Sequence, residues 1–305
     1  TFRKFDKYVP RSEAADGLAG GKIAKIERVE MLTMPDIALR YAALTRGEVD
    51  YLEYAPVDLI PRMRRDRNLT FAQASGRANL MYAVSINHFQ APMDNVLIRR
   101  AIQQCLDRGE VLAGAGFGGD LGKPDCTSMF MCGAPFENKG GSDSIANPSI
   151  DKAKALLSEA GYKNEKIVIL HPLDSPLLNP FGAVLIDRMK RAGFNVDVQG
   201  LEWSAIAQRW VQKNPLDQGG WSVIPVVYTG FDMSDPLSNL GVGFNCTGNQ
   251  PWGYCVQPMV PAIERFEAES DPAKRKAIAE EIQKFALENA TFPIAGQFQS
   301  PAVWR

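Results

Sequence analysis

A chain of 305 residues with 45% hydrophobic and 23% charged content is long enough to bury a sizeable core, and its length suggests more than one lobe. Its 34 basic and 35 acidic residues leave a formal charge of -1, which removes the global field that drives binding to nucleic acid or to anionic lipid. No uncharged apolar run approaches the roughly 20 residues needed to span a bilayer, and the opening TFRKFDKYVP has neither an initiator Met nor an apolar signal core, so the original N-terminus is expected upstream.

After a polar opening, residues 22–32 (KIAKIERVEML) alternate apolar and charged as a half-buried strand does. Residues 36–53 read as a helix stopped at Gly47 before a short strand, and LMYAVSIN, from Leu80, has the β-branched and aromatic content of a strand. Residues 91–111 (APMDNVLIRRAIQQCLDRGEV) read as one helix with Pro92 and Asp94 at its start, and Cys105 falls at core spacing within it. A long loop, rich in Gly, Pro and Ser, is expected from about Gly114 to Asn147. Ser149 then caps a helix that presents Ile150, Ala153, Leu156 and Leu157 and ends at Gly161. Strand KIVIL, a helix over Phe181–Ala192 closed by Gly193, and strand FNVDVQ repeat a pattern that builds parallel or mixed sheets. The region from Pro215 to Pro258 is aromatic, Gly-rich loop around the strand WSVIPVVY, and an amphipathic helix follows with Asp271 as its cap and Pro272 first.

Four cysteines form two close pairs in loop sequence, Cys126 with Cys132 and Cys246 with Cys255, where core packing does not call for them. Two local disulfides and an oxidising compartment are expected, each bridge contributing ~2–3 kcal/mol on the chain-entropy model. Reduced, incidental thiols are the alternative. With two histidines and no C-x-x-C knuckle, neither a zinc site nor any other metal or cofactor is expected.

Catalytic constellations are missing from the residue pattern. GFGGDLGKP resembles a phosphate loop, but its glycine spacing is one residue too long and Pro124 stands where Ser or Thr is required. No G-x-S-x-G or H-E-x-x-H occurs, and His88, just past a strand, reads as structural. The informative stretch is GGWSVIPVVYTGFDMSDPLSNL, which delivers Trp221, Tyr228 and Phe231 beside Asp232 and Asp235. A partly desolvated carboxylate among rings suits an ammonium group. The competing reading has Asp235 capping a turn before Pro236 and the aromatics filling core; Trp203 is similarly ambiguous.

The pieces LTRGEVDYLE, SINHFQAPMDNVLIRRAIQQCLDR, IDKAKALLSEAGY, GFNVDVQGLEW, GGWSVIPVVYTGFDMSDP and the C-terminal run from Asp271 occur in an order that resembles the family 5 bacterial extracellular solute-binding proteins, components of ABC importers for peptides, nickel complexes and related solutes. The resemblance implies an α/β, periplasmic-binding-protein-like (type II) two-lobed fold of mixed sheets flanked by helices. Residues 1–76 and 287–305 would form part of the first lobe and 77–286 the second, with hinge crossings near Asn87 and Phe285. In peptide-binding members an aspartate in a D-x-x-[DE]-P segment pairs with the ligand's α-amino group, which selects Asp232 of Asp232-Met-Ser-Asp235-Pro236. Trp221, Tyr228, Phe231 and Trp203 are candidate cleft walls. The family's downstream disulfide agrees with Cys246 and Cys255, and the run around Cys126 and Cys132 is similar to a loop in one branch. Dipeptide binders hold the ligand carboxylate with an arginine where this chain has LHPLDSPLLNP, leaving His171 as the polar candidate. A second departure is length: family members begin earlier and run past Arg305, which suggests a truncated chain. The implied activity is capture by lobe closure of a peptide or other small amine-bearing solute in the periplasm, by a monomer that delivers it to an inner-membrane ABC permease. A solute-sensing or chaperone-like domain on the same fold is the alternative; a hydrolase would need a nucleophile–base pair that the sequence lacks.

Overall fold

The structure, a computed structural model, describes residues 1–16, 19–34, 36–73, 78–242 and 257–305. The Cys246–Cys255 pair and the lobe boundary between 76 and 77 therefore lie outside the described residues. The chain opens with a two-residue ladder between β1 (Phe2–Arg3) and β2 (Arg28–Val29). The longer strand expected over residues 22–32 does not form. Ile23, Ile26, Met31 and Leu32 are all more than half exposed, because no surface among the described residues receives an apolar face there.

Helix α1 (Ile37–Arg46) starts on the Asp36 side chain, which accepts from Ala38 N, and stops where Gly47 adopts φ 77°, a left-handed conformation that costs glycine nothing. The short strand β3 (Tyr51–Leu52), the single turn α2 (Ile60–Met63) and β4 (Thr70–Ala72) follow. Strand β5 (Leu80–Ile86) is buried along its whole length. The expected single helix over 91–111 is two: α3 (Val96–Gln104), capped by Asn95 rather than Asp94, and α4 (Arg108–Gly114), capped by Asp107. The Asp107 carboxylate accepts from Glu110 N at 2.9 Å and begins a new helix where an uninterrupted one would have continued.

A loop holding the short β6 (Gly122–Lys123) leads to α5 (Ile150–Glu159), capped by Ser149 as expected, and then to β7 (Lys166–Pro172). Helix α6 (Leu178–Ala192) begins three residues earlier than the sequence reading and ends at Gly193, φ 96°. Strand β8 (Asn195–Leu201), α7 (Trp203–Trp210), β9 (Val223–Thr229), α8 (Val260–Ala268) and α9 (Pro272–Glu288) complete the helical layers. The chain ends with β10 (Ile294–Phe298) and β11 (Ala302–Trp304).

One six-stranded mixed sheet, in the order β6-β10-β5-β9-β7-β8, organises the molecule; β7 runs parallel to β8 and β9, and the other pairs are antiparallel. Along β5, Leu80, Tyr82, Val84 and Ile86 face a core shared with α3, α4, α5 and α6, while Met81 and Ala83 face a second core formed with α7, α8 and α9. Burial on both faces explains why β5 reads as a continuous apolar run. Tyr82 stacks on Phe181 and Phe298 at 4.6 and 4.3 Å, and its hydroxyl donates to the Leu177 carbonyl.

A smaller sheet, β3-β11-β4, pairs the C-terminal strand with two strands that precede β5. Between β10 and β11 the chain passes from the large sheet to the small one at residues 299–301. Asn87 and Phe285, expected near a hinge, instead lie inside the larger unit: Asn87 donates to the Trp221 carbonyl and Phe285 belongs to α9. Strand β10, expected in the first lobe with the rest of 287–305, pairs with β5 and β6 in the large sheet.

His88 reports on the integrity of this core. Its Nε2 lies 3.0 Å from the Thr291 carbonyl, and burial together with nearby Arg99 pushes its pKa down from 6.5 to about 3. The folded state keeps His88 neutral while the unfolded chain protonates, so its contribution to stability is complete above pH 6.5 and is lost as pH falls toward 3. Chemical denaturation at a series of pH values should show stability falling by up to about 1.4 kcal/mol per pH unit in that window. His88→Gln, which retains a donor, should flatten the slope.

Candidate functional site

Strands β7, β8 and β9 are parallel, so their carboxyl ends share one edge of the sheet, and the antiparallel register puts Leu80 of β5 opposite Thr229 at that edge. The crossing between the sheets starts there as well, since Phe298 of β10 pairs with Leu80. In α/β sheets the crevice outside the carboxyl ends of parallel strands is where ligands settle. The ladder between β7 and β9 amounts to one register pair, Ile169 with Val223, and Pro225 has no N–H to extend it. The neighbouring helix makes room with Gly182, where a Cβ would meet His171 Cδ2 at 2.8 Å.

Asp232 stands just past β9 and is exposed. Its Oδ2 accepts from the Thr229 hydroxyl at 2.6 Å and from Thr229 N at 3.1 Å. These two bonds fix the carboxylate through one oxygen of an exposed residue and leave Oδ1 without a hydrogen bond among the described residues. Asp235, three residues on, accepts from Leu237 N at 2.8 Å and lies 3.7 Å from Arg275. The turn-capping reading of Asp235 therefore holds. Arg275 in turn stacks over Phe266 at 4.2 Å.

The aromatic candidates divide. Trp221 is completely buried and donates from its indole nitrogen to the Trp210 carbonyl, so it is a core residue and offers no wall to a ligand; its length of side chain fills the space under α7. Tyr228 and Phe231 are half-buried, beside Asp232, with the Tyr228 ring 5.7 Å from Phe292. Trp203 opens α7 at the end of β8, half-buried, with its N–H bound to Asp174 and its ring edge-on to Trp210. His171 lies at the carboxyl end of β7 but on the α6 face of the sheet, opposite to Tyr228, and its Nε2 is 3.0 Å from the Asn179 carbonyl. The edge thus brings Tyr228, Phe231 and Asp232 together, with Trp203 two strands away and His171 on the reverse face. The Cys126–Cys132 disulfide is formed, and Cys105 is a buried core thiol, as expected.

Two residues at this edge were not singled out by the sequence. Thr229, the holder of Asp232, was legible as a T-x-x-D pair, in which a hydroxyl and a carboxylate three residues apart meet in a turn. Asn79 was not legible. It is fully buried, its carbonyl accepts from Gly230 N at 2.7 Å, and neither side-chain polar atom has a partner among the described residues.

Strand order and the mixed sheet flanked by helices define the type II periplasmic-binding-protein fold. The substrate-binding protein CtaP of Listeria monocytogenes superposes with a TM-score of 0.75 at 17% identity, over 88% of this chain and 53% of its own. DppA of Helicobacter pylori, solved with the peptide STSA, gives 0.73 at 20% identity over 89% and 51%. The model for bacterial extracellular solute-binding proteins, family 5 Middle, matches residues 1–251, and the chain belongs to that family. It is 32% identical over 291 residues to the probable peptide ABC transporter periplasmic-binding protein y4tO of Sinorhizobium fredii, covering 93% of this chain and 54% of the relative. The dipeptide-binding protein of Escherichia coli is 25% identical over 283 residues, 90% of this chain and 50% of its own length. The chain thus spans about half the length of these relatives.

A buried carboxamide with no partner costs roughly 1–3 kcal/mol, and an apolar group of similar size avoids that cost. Asn79→Leu should therefore raise the stability of the chain by about 1 kcal/mol in urea titration. A loss of stability would reveal a hydrogen bond to Asn79 that only the full environment supplies.

Proposed function

We propose that this chain captures a peptide or another small amine-bearing solute at the carboxyl edge of its large sheet, as the binding component of an ABC importer. The observation that carries this reading is Asp232, exposed at that edge and held through Oδ2 by Thr229, with no hydrogen bond to Oδ1 among the described residues. An ammonium donates up to three hydrogen bonds and a carboxylate only accepts, so the pair is complementary and charge-assisted. Phe231 and Tyr228 supply adjacent apolar surface, and Trp203 bounds the edge on the β8 side. Membership of the solute-binding family and the names of the relatives support transport rather than turnover, and no chemistry on the ligand is proposed.

The segment after β7, where dipeptide binders would supply an arginine, here carries Asp174 and Ser175. Asp174 accepts from Trp203 N and Ser175 from Leu178 N, and neither side chain can carry the positive charge an arginine would supply. His171 is the remaining polar group, and its Nε2 is already engaged by Asn179. A solute whose recognition centres on the amine fits better than one needing a carboxylate clamp.

In this reading the smaller sheet, with residues up to about 72 and 302–304, belongs to one lobe and the larger sheet, including β10, to the other. The crossing at 299–301 then forms part of the hinge. Ligand held by Asp232 stabilises the closed form by its differential affinity for it, and a monomer in the periplasm then docks on a membrane permease.

A thermal-shift screen of the full-length protein against dipeptides, longer peptides, amino-acid conjugates, nickel chelates and haem tests this. A ligand at about 100 times its Kd adds ~2.7 kcal/mol of stability. Asp232→Asn, which keeps shape and removes charge, should weaken a genuine hit about 10- to 100-fold. A solute that stabilises both proteins equally would leave a binding protein without this site.

A further inference from the structure

We propose that the disulfide-closed loop Cys126–Cys132 is a positioning element of the ligand site: it grips the chain that follows Asp232, at Met233 and Asn239, so that opening the ring weakens ligand affinity while the fold persists. The inference rests on the reading of Asp232 as the amine anchor.

The segment that carries Asp232 is a tight but short structure. Met233 N donates to the Thr229 carbonyl at 3.2 Å, Asn239 N to the Asp235 carbonyl at 2.9 Å, and the Ser238 hydroxyl to the Asp232 carbonyl at 3.0 Å. These bonds shape the turn but do not tie it to the body of the protein. Ahead of Asp232 the turn is anchored by Gly230 N, which donates to the Asn79 carbonyl at 2.7 Å; beyond Asp232, apart from the Asp235–Arg275 pair, which is partly exposed and long for an ion pair, the attaching hydrogen bonds to Met233 and Asn239 among the described residues come from the disulfide loop. Met131 N donates to the Met233 carbonyl at 3.2 Å, one residue after Asp232. The buried Asn239 side chain donates to the Met129 carbonyl at 3.0 Å, while its Oδ1 accepts from Gly241 N at 2.9 Å. Met129, Phe130, Met131 and Met233 are all fully buried in the same core, so apolar packing and hydrogen bonds join the same two segments.

The loop can transmit position only if it is itself immobile. Two buried glutamines from different elements hold it. Gln283 of α9 accepts from the Ser128 hydroxyl at 2.8 Å and from Met129 N at 2.9 Å. Gln297 of β10 accepts from Cys132 N at 2.9 Å and reaches the Phe130 carbonyl at 3.2 Å. The intervening residues 127–131 adopt no regular structure, so their conformation depends on these contacts and on the covalent link between Cys126 and Cys132. Cutting that link enlarges the ensemble available to the loop, and its gripping amide and carbonyl are no longer held in register with Met233 and Asn239.

The test compares the wild-type chain with Cys126→Ser/Cys132→Ser and with Asn239→Leu, which keeps the disulfide but removes the donor to Met129; circular dichroism checks that each is folded. Hydrogen exchange needs no ligand. The Asp232 and Met233 amides should exchange about tenfold faster in both variants, while amides of β7 and α6 keep wild-type rates. Titration calorimetry with Ala-Ala and Ala-Ala-Ala, well below the melting temperature, should show affinity weakened about fivefold to tenfold, a change that mere loss of global stability would not produce. Unchanged exchange at Asp232 and Met233 overturns the proposal, as does faster exchange with undiminished affinity. A wild-type chain that binds neither peptide counts against the amine-anchor reading instead, and exchange then decides the positioning role alone. Should the serine variant fail to fold, Asn239→Leu carries the same comparison.

Discussion

The antiparallel register between β5 and β9, Leu80 opposite Thr229 through Ile86 opposite Val223, is the constraint on which the rest of the molecule depends. Side chains alternate along a strand, so a slip of one residue would drive Met81 and Ala83 into the core that receives Tyr82 and Val84, and the reverse. Both faces of β5 are buried, which makes that exchange prohibitive in volume as well as in contact. With the register set, the chain leaves β9 at the same edge at which it enters β5 and leaves β10. The turn holding Asp232, the start of β5 and the end of β10 therefore fall side by side.

Buried polar groups elsewhere serve a different purpose. Arg99 and Arg100 of α3 donate to the carbonyls of Asn289 and Glu288, and Gln103 donates to that of Leu287, satisfying the carboxyl end of α9 from a neighbouring helix. Arg108 does the same for Pro124 and Ile145, tying down the long loop after α4. The groups whose ionisation is strongly perturbed among these, His88, Arg99 and Cys105, are buried and bonded to backbone carbonyls, not gathered at the crevice. Burial pushes the Cys105 thiol up to about 12, as suits a packing residue. Perturbation here marks structural burial.

The apolar stretch from Ile23 to Leu32 illustrates the limit of pattern reading. Alternation gives a strand only when a neighbour accepts the apolar face and the edge hydrogen bonds; β1 supplies two residues of partner and the rest stays open. The long helix over 91–111 failed for a different reason. Its apolar spacing continues past Cys105, but a local Asp107 cap competes with propagation, and periodicity alone does not weigh one against the other.

By itself the sequence determined the elements whose causes are local. Gly47 and Gly193 end helices because they tolerate positive φ, Ser149 and Asp271 begin them by accepting from free N–H groups, and β-branched and aromatic content marks β5 as a strand. It also determined the family, through the order of its segments, and singled out Asp232 and the Cys126–Cys132 pair. Only the tertiary structure decided that Trp221 is core and Phe231 edge, that His171 faces away from Tyr228, that β10 joins the large sheet, and that the disulfide loop touches Met233 and Asn239. Those facts depend on which strand lies beside which. Contacts between residues about 100 or more positions apart, such as Asn239 with Met129, leave no trace in local periodicity, because they are selected by packing of the whole sheet rather than by any neighbouring residue.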